Sequence, residues 1–229
     1  GVGKTTNLAP LLATVAHLCK DGHPMRPKER RKIVWVTEDP NQAQRIVNGM
    51  VHAGWFTLDQ ATGWFNIVDA RRLPIEEVVA VERDYRKYWV EVQGSHGPVI
   101  LKPLVVFDTM NAVIDLDDEN SNSQVGKAIA ALKASFSGYP VVVLAHLAKA
   151  LKGRTAVKEL AARGAGAIEA DAHQTMYLVP EENGDRYLIF GKTRFERNPK
   201  IGEVKFTSHT STILLDGDFG PEETVLRWS

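Results

Sequence analysis

Cysteine is nearly absent. Cys19 stands alone among 229 residues, which excludes a disulfide framework within the chain and fits a reducing compartment, the cytoplasm. It falls in an apolar helical pattern, where a buried structural thiol is expected. A charge bias is missing too. Lys and Arg together number 28, as do Asp and Glu, so no global field draws the chain to nucleic acid and any such contact must come from a local patch. No apolar run reaches the ~18–20 residues of a membrane-spanning helix, so no membrane partner is expected. No secretory signal, repeat, low-complexity tract or domain-dividing linker is visible. What is present is a chain that is 44% apolar, enough for one large α/β domain.

The opening hexamer, Gly1-Val2-Gly3-Lys4-Thr5-Thr6, reads as the second half of a phosphate-binding loop, G-x-x-x-x-G-K-[ST]. In that pattern Gly3 is the second glycine, and the first would lie two residues before Gly1, so the domain is expected to begin within the loop. Backbone N–H groups of such a loop converge on phosphate oxygens, and the helix that follows adds its positive end. Lys4 would neutralise the outer phosphates of ATP, and the Thr5 hydroxyl would coordinate Mg²⁺.

Helical spacing runs over residues 4–20 and stops at Asp21-Gly22. A basic, proline-containing stretch (20–32) follows and reads as a solvated connection. "KIVWVTED" (32–39) reads as a buried strand ending in two acids, and "PNQAQRIVNGMVHAG" (40–54) as a helix with Pro at its first turn, for which Asp39 is a candidate cap. "GWFNIVDARRL" supplies another strand, and "YWVEVQ" and "PVILK" flank "GSHG" as an inserted hairpin. "LVVFD" (104–108) has the form of a central parallel strand. An acidic loop (115–123) leads into a helix, "YPVVVLAH" (139–146) is another buried strand, and "AIEADAHQTMYLV" re-enters a strand. From Tyr187 onward, successive antiparallel strands are predicted. The fold class expected is α/β, a parallel sheet core extended by an antiparallel C-terminal sheet.

Glu38, Asp108 and His146 each terminate an apolar strand. In an open parallel sheet the carboxyl ends of the strands share one edge, where ligands collect, so the three are expected to converge on the nucleotide. Asp108, after four apolar residues, has the Walker B pattern and would hold Mg²⁺ directly or through its water shell. Glu38 would orient and deprotonate the attacking water. His146 would contact the γ-phosphate.

The runs "GVGKTT", "VWVTEDP", "LVVFDT", "VVVLAHLAK", "RGAGAIEADAHQTMYLV" and "GKTRF" together resemble the RecA-fold ATPase core of hexameric replicative helicases. They are most similar to the plasmid and phage RepA-type group, with bacterial DnaB-type helicases as relatives. The resemblance extends from Gly1 to about Phe206. It implies a single RecA-like P-loop NTPase domain over residues 1–229, with helices on both faces of the sheet, ATP and Mg²⁺ as cofactors, and single-stranded DNA as partner. It also implies a homo-hexameric ring with active sites between subunits. Lys192 and Arg194 would then act on the γ-phosphate of the neighbouring subunit, Arg194 as the arginine finger, with Arg163 a second candidate. The chain departs from the pattern in having Phe195 and Glu196 after the Lys-x-Arg. The histidine at 146, where DnaB-type proteins carry glutamine, matches the RepA-like branch.

DNA contacts are expected from the basic stretch bearing Lys149, Lys152, Arg154 and Lys158, whose spaced cations suit sequence-independent phosphate tracking. No aromatics interleave there, so base stacking is not indicated. Three alternatives stay open: a RecA-like recombinase or regulatory ATPase, a partition-type ATPase, and a non-catalytic DNA-binding module.

Overall fold

A computed structural model describes residues 4–19, 25–70, 77–116, 121–145, 170–180, 185–194, 203–206, 209–217 and 220–228. Two apolar runs organise it. β1 (Ile33–Thr37) and β5 (Leu104–Asp108) are buried at every position, as parallel strands covered on both faces must be. They pair with each other, β2 (Phe65–Asp69) pairs on the far side of β1, and β6 (Val141–Leu144) on the far side of β5. The result is a four-stranded parallel sheet in the order β2-β1-β5-β6.

Strand side chains alternate between faces, and two core clusters record that alternation. Ile33, Trp35, Leu104 and Val106 join the residues of α1 (Lys4–Val15), α2 (Pro40–His52) and α3 (Leu58–Trp64). Val34, Val36, Val105 and Phe107 join those of α4 (Val78–Tyr85), α5 (Met110–Val113) and α6 (Asn122–Ser135). Helices therefore cover both faces, as expected. The antiparallel strands also form, but as separate units. β3 (Val90–Gly94) and β4 (Gly97–Leu101) make the inserted hairpin. β7 (Gln174–Pro180), β8 (Arg186–Thr193) and β9 (Glu203–Phe206) make a meander, and β10 (His209–Gly217) pairs only with β11 (Gly220–Trp228) among the described residues.

Five expectations need correction. The first helix ends at Val15, short of Asp21-Gly22. His17 adopts φ 53, and the Leu18 and His17 N–H groups donate back to Ala13 O and Thr14 O at 2.8 and 3.1 Å. This is a Schellman turn with histidine where glycine is usual, which is why glycine spacing misplaced the boundary. The basic stretch, over its described part, is docked rather than solvated. Arg30 Nε donates to Ala16 O at 2.7 Å and its guanidinium lies 3.3 Å from the Trp64 ring centroid, so a cation occupies the negative end of α1. Arg31 Nη1 donates to Lys102 O at 2.7 Å.

β6 is half-buried rather than buried, because among the described residues it pairs on one side alone. The segment between residues 54 and 89 also holds α3 and α4, which the strand and hairpin pattern did not anticipate. α3 opens with a capping box in which Thr57 and Gln60 bond each other's backbone N–H. Cys19 is half-buried rather than buried, beside the Thr14 hydroxyl at 3.6 Å, and burial pushes its thiol pKa up. Among the described residues no helix is long and apolar enough to cross a membrane.

Candidate nucleotide-binding rim

The strand registers bring the carboxyl ends of the central sheet to one edge. Thr37 stands opposite both Asp69 and Asp108, and Asp108 opposite Leu144. Alternation along β5 sends Asp108 to the same face as Leu104 and Val106, the face that α1 covers. Asp108 is 4% exposed there. α1 begins at Lys4 directly above it, and the Thr5 hydroxyl donates to Asp108 Oδ2 at 3.0 Å across 103 residues of sequence. The same oxygen accepts the Trp35 indole N–H at 3.3 Å. A buried carboxylate needs such donors, because an unsatisfied buried polar group costs about 1–3 kcal/mol and a charged one more.

Glu38 follows Thr37 at this rim. Its backbone N–H donates to Asp108 O at 3.4 Å, and its side chain is exposed to solvent. Glu38 and Asp108 therefore share one edge of the sheet with the start of α1. The next residue, Asp39, caps α2: its Oδ1 accepts from Gln42 N–H at 2.9 Å, with Pro40 beginning the helix. Thr6 is half-buried in the first turn of α1. The Asp108–Thr109 peptide is cis.

Arg194 lies just past the end of β8 and is exposed. Its guanidinium donates to Ala170 O, and its backbone N–H donates to His173 O at 2.8 Å. Segment 170–173 is itself tied to α6, since Lys133 Nζ lies 3.2 Å from Asp171 Oδ1. Lys192 is part of β8. Gly1, Val2, Gly3, His146, Lys149, Lys152, Arg154, Lys158 and Arg163 lie outside the described residues. Trp35 escaped the sequence reading: nothing in an apolar strand run marks an indole aimed at a carboxylate.

The Thr5–Asp108 pair fits Mg²⁺. A hydroxyl and a carboxylate are hard oxygen donors one hydrogen bond apart, and Mg²⁺ takes one or two carboxylates, completing its shell with water and phosphate oxygens. No group of three or more His, Cys, Asp or Glu residues able to hold a metal exists among the described residues.

A parallel sheet whose central carboxylate meets the hydroxyl of a Gly-Lys-Thr helix start is the architecture of a P-loop ATPase. The family comparison agrees: an AAA-domain model matches residues 1–151, and the chain belongs to that family. Nucleotide binding, usually with Mg²⁺, and ATPase-type function go with the family. No curated protein matches the chain.

Proposed function

We propose that this chain is the ATP-hydrolysing motor domain of a ring-forming DNA helicase acting in replication of plasmid, phage or similar DNA. One observation carries the ATPase part: the Thr5–Asp108 hydrogen bond, which joins the loop half-motif to the Walker B position at the rim. Lys4 and Thr5 bind the phosphates and Mg²⁺, and Asp108 holds the metal with Thr5. Mg²⁺ supplies neutralisation of charge on the phosphates. Glu38, exposed at the same rim, accepts the proton of the attacking water.

The helicase part is supported by the resemblance of "GAIEADA" and "KTR" to the replicative helicases, and by the exposed position of Arg194 at the end of β8. In this assignment Arg194 serves a neighbouring subunit in a homo-hexamer, and the Ala170 carbonyl holds it when that neighbour is absent. Lys192 and Arg163 assist, His146 senses the γ-phosphate, and the Lys149, Lys152, Arg154 and Lys158 stretch tracks single-stranded DNA.

The test is ATP turnover by the full-length protein with and without single-stranded DNA. Stimulation is expected. Its absence favours the recombinase, regulatory or partition alternatives. Arg194→Ala is expected to leave nucleotide binding intact and cut turnover about 10³-fold or more; normal turnover in that variant removes the finger assignment.

A further inference from the structure

We propose that Trp35 is a positioning residue for the metal-binding carboxylate. Its indole N–H fixes Asp108 through Oδ2 and so sets which lone pairs that carboxylate offers to a divalent cation. The proposal rests on the assignment of Thr5 and Asp108 as Mg²⁺ ligands.

Trp35 is 0% exposed and is the largest fully buried side chain among the described residues. It belongs to the apolar cluster of α1 and α2, with Leu12, Ala43 and Val47. An indole in such surroundings needs an acceptor for its single N–H. The register supplies one. Trp35 stands opposite Val106, so Asp108 is its diagonal neighbour on the same face, within reach of a long aromatic side chain. The N–H meets Oδ2 at 3.3 Å, while the Thr5 hydroxyl meets the same oxygen at 3.0 Å. The two donors differ in kind. Thr5 is a rotatable hydroxyl that can turn its hydrogen away and offer a lone pair to a cation. The indole is donor-only and locked by packing, so it stays on the carboxylate whether or not metal is bound. A carboxylate held in this way keeps a fixed orientation, and partners of this kind tune metal affinity about 10–100-fold.

The decisive variant is Trp35→Phe, which removes the donor and keeps an aromatic ring. Mn²⁺ binding in the presence of ADP is followed by electron paramagnetic resonance in the full-length protein, native and variant. ADP binding in EDTA and thermal denaturation are measured beside it. The expected result is a Mn²⁺ Kd raised about 10-fold or more, with metal-free ADP affinity unchanged. A folded variant with the native Mn²⁺ Kd overturns the proposal. Native protein that binds no Mn²⁺ with ADP overturns the Thr5–Asp108 assignment itself, so the two failures are told apart by which protein shows them.

A second measurement does not depend on the variant's folding. The chain has five tryptophans, hence five indole N–H resonances. The one shifted by Asp108→Asn should also shift when Mg²⁺ and ADP are added to the native protein. An indole resonance that moves with Asp108→Asn but ignores Mg²⁺ and ADP overturns the proposal as well.

Discussion

The two faces of the central sheet each bury a carboxylate, and they treat it differently. On the face of α1, Asp108 sits at the rim and accepts from the rotatable Thr5 hydroxyl and from the Trp35 indole. On the opposite face, Glu82 of α4 lies within an aromatic cluster. The Tyr139 hydroxyl donates to it at 2.7 Å, Arg86 adds a salt bridge at 3.1 Å, and the Trp89 indole donates to the Tyr139 oxygen at 2.8 Å. Beyond Tyr139, Phe136 packs edge to face on the tyrosine ring and on Phe107. The Tyr139 hydrogen bond foremost, then Arg86, holds the Glu82 carboxyl below its usual range against the opposing pull of burial, and burial and Glu82 together push Tyr139 up to about 12. Each of these partners of Glu82 is a protein group, Tyr139 buried and held in turn by Trp89, Arg86 half out in solvent. At Asp108, in the function proposed, the Thr5 hydroxyl gives way to a cation. The lesson is that a buried acid becomes a working site when one of its donors can be replaced by a cation, and a structural rivet when none can.

The contrast breaks first, and most visibly, at the rim. Asp108→Asn should lower Mg²⁺-dependent ATP turnover by about 10²–10³-fold, and Glu38→Gln by about 10²–10⁴-fold. Glu38→Gln, at an exposed position on the rim, should unfold at close to the native temperature. Steady-state kinetics with parallel thermal denaturation checks both halves; a large loss of stability in Glu38→Gln would place that residue with the rivets. Tyr139→Phe should do the reverse, costing about 1–3 kcal/mol in urea denaturation while ATP turnover per folded molecule stays native.

The same network predicts a pH signature. Because the folded-state pKa of Glu82 is depressed, its contribution is present above the unfolded carboxylate value of ~4.3. It is lost as pH falls through the lower folded value. The stability gap between native protein and Glu82→Gln should therefore be open at pH 6 to 7 and close in the acid range; a gap independent of pH would contradict the assignment. The smallest effect is expected next door to Glu38. Asp39→Ala removes only the cap of α2 and should cost about 1 kcal/mol with turnover unchanged.

Much of this architecture was legible in the residues, and what escaped has physical causes. Continuous apolar runs marked β1 and β5 because both are covered on two faces. Asp39 announced its cap through the proline that follows it. The β6 run, Val141–Leu144, looks the same as those of β1 and β5, yet it is half-buried, because composition does not tell a strand's number of neighbours. α3 carries a readable Thr-x-x-Gln start, but the aromatic run at its end continues directly into β2, so the strand pattern masks the helix. α4 begins with Val78 and Val79, β-branched residues that argue against helix, and its packing against α6 overrides them. At the site, residue types were readable one strand at a time. Their meeting was not: the Thr5–Asp108 and Trp35–Asp108 bonds depend on register, which sequence spacing leaves open.

Strand parity has a genetic corollary. Asp108 reaches α1 because it falls an even number of residues after Leu104. A single codon gained or lost inside β5 would swing the carboxylate across the sheet toward Phe136, while preserving every local motif a reader would look for. Length changes in β5 should therefore be far more damaging than substitutions among its valines, and tolerated insertions should cluster in the β3–β4 hairpin, where parity governs nothing at the rim.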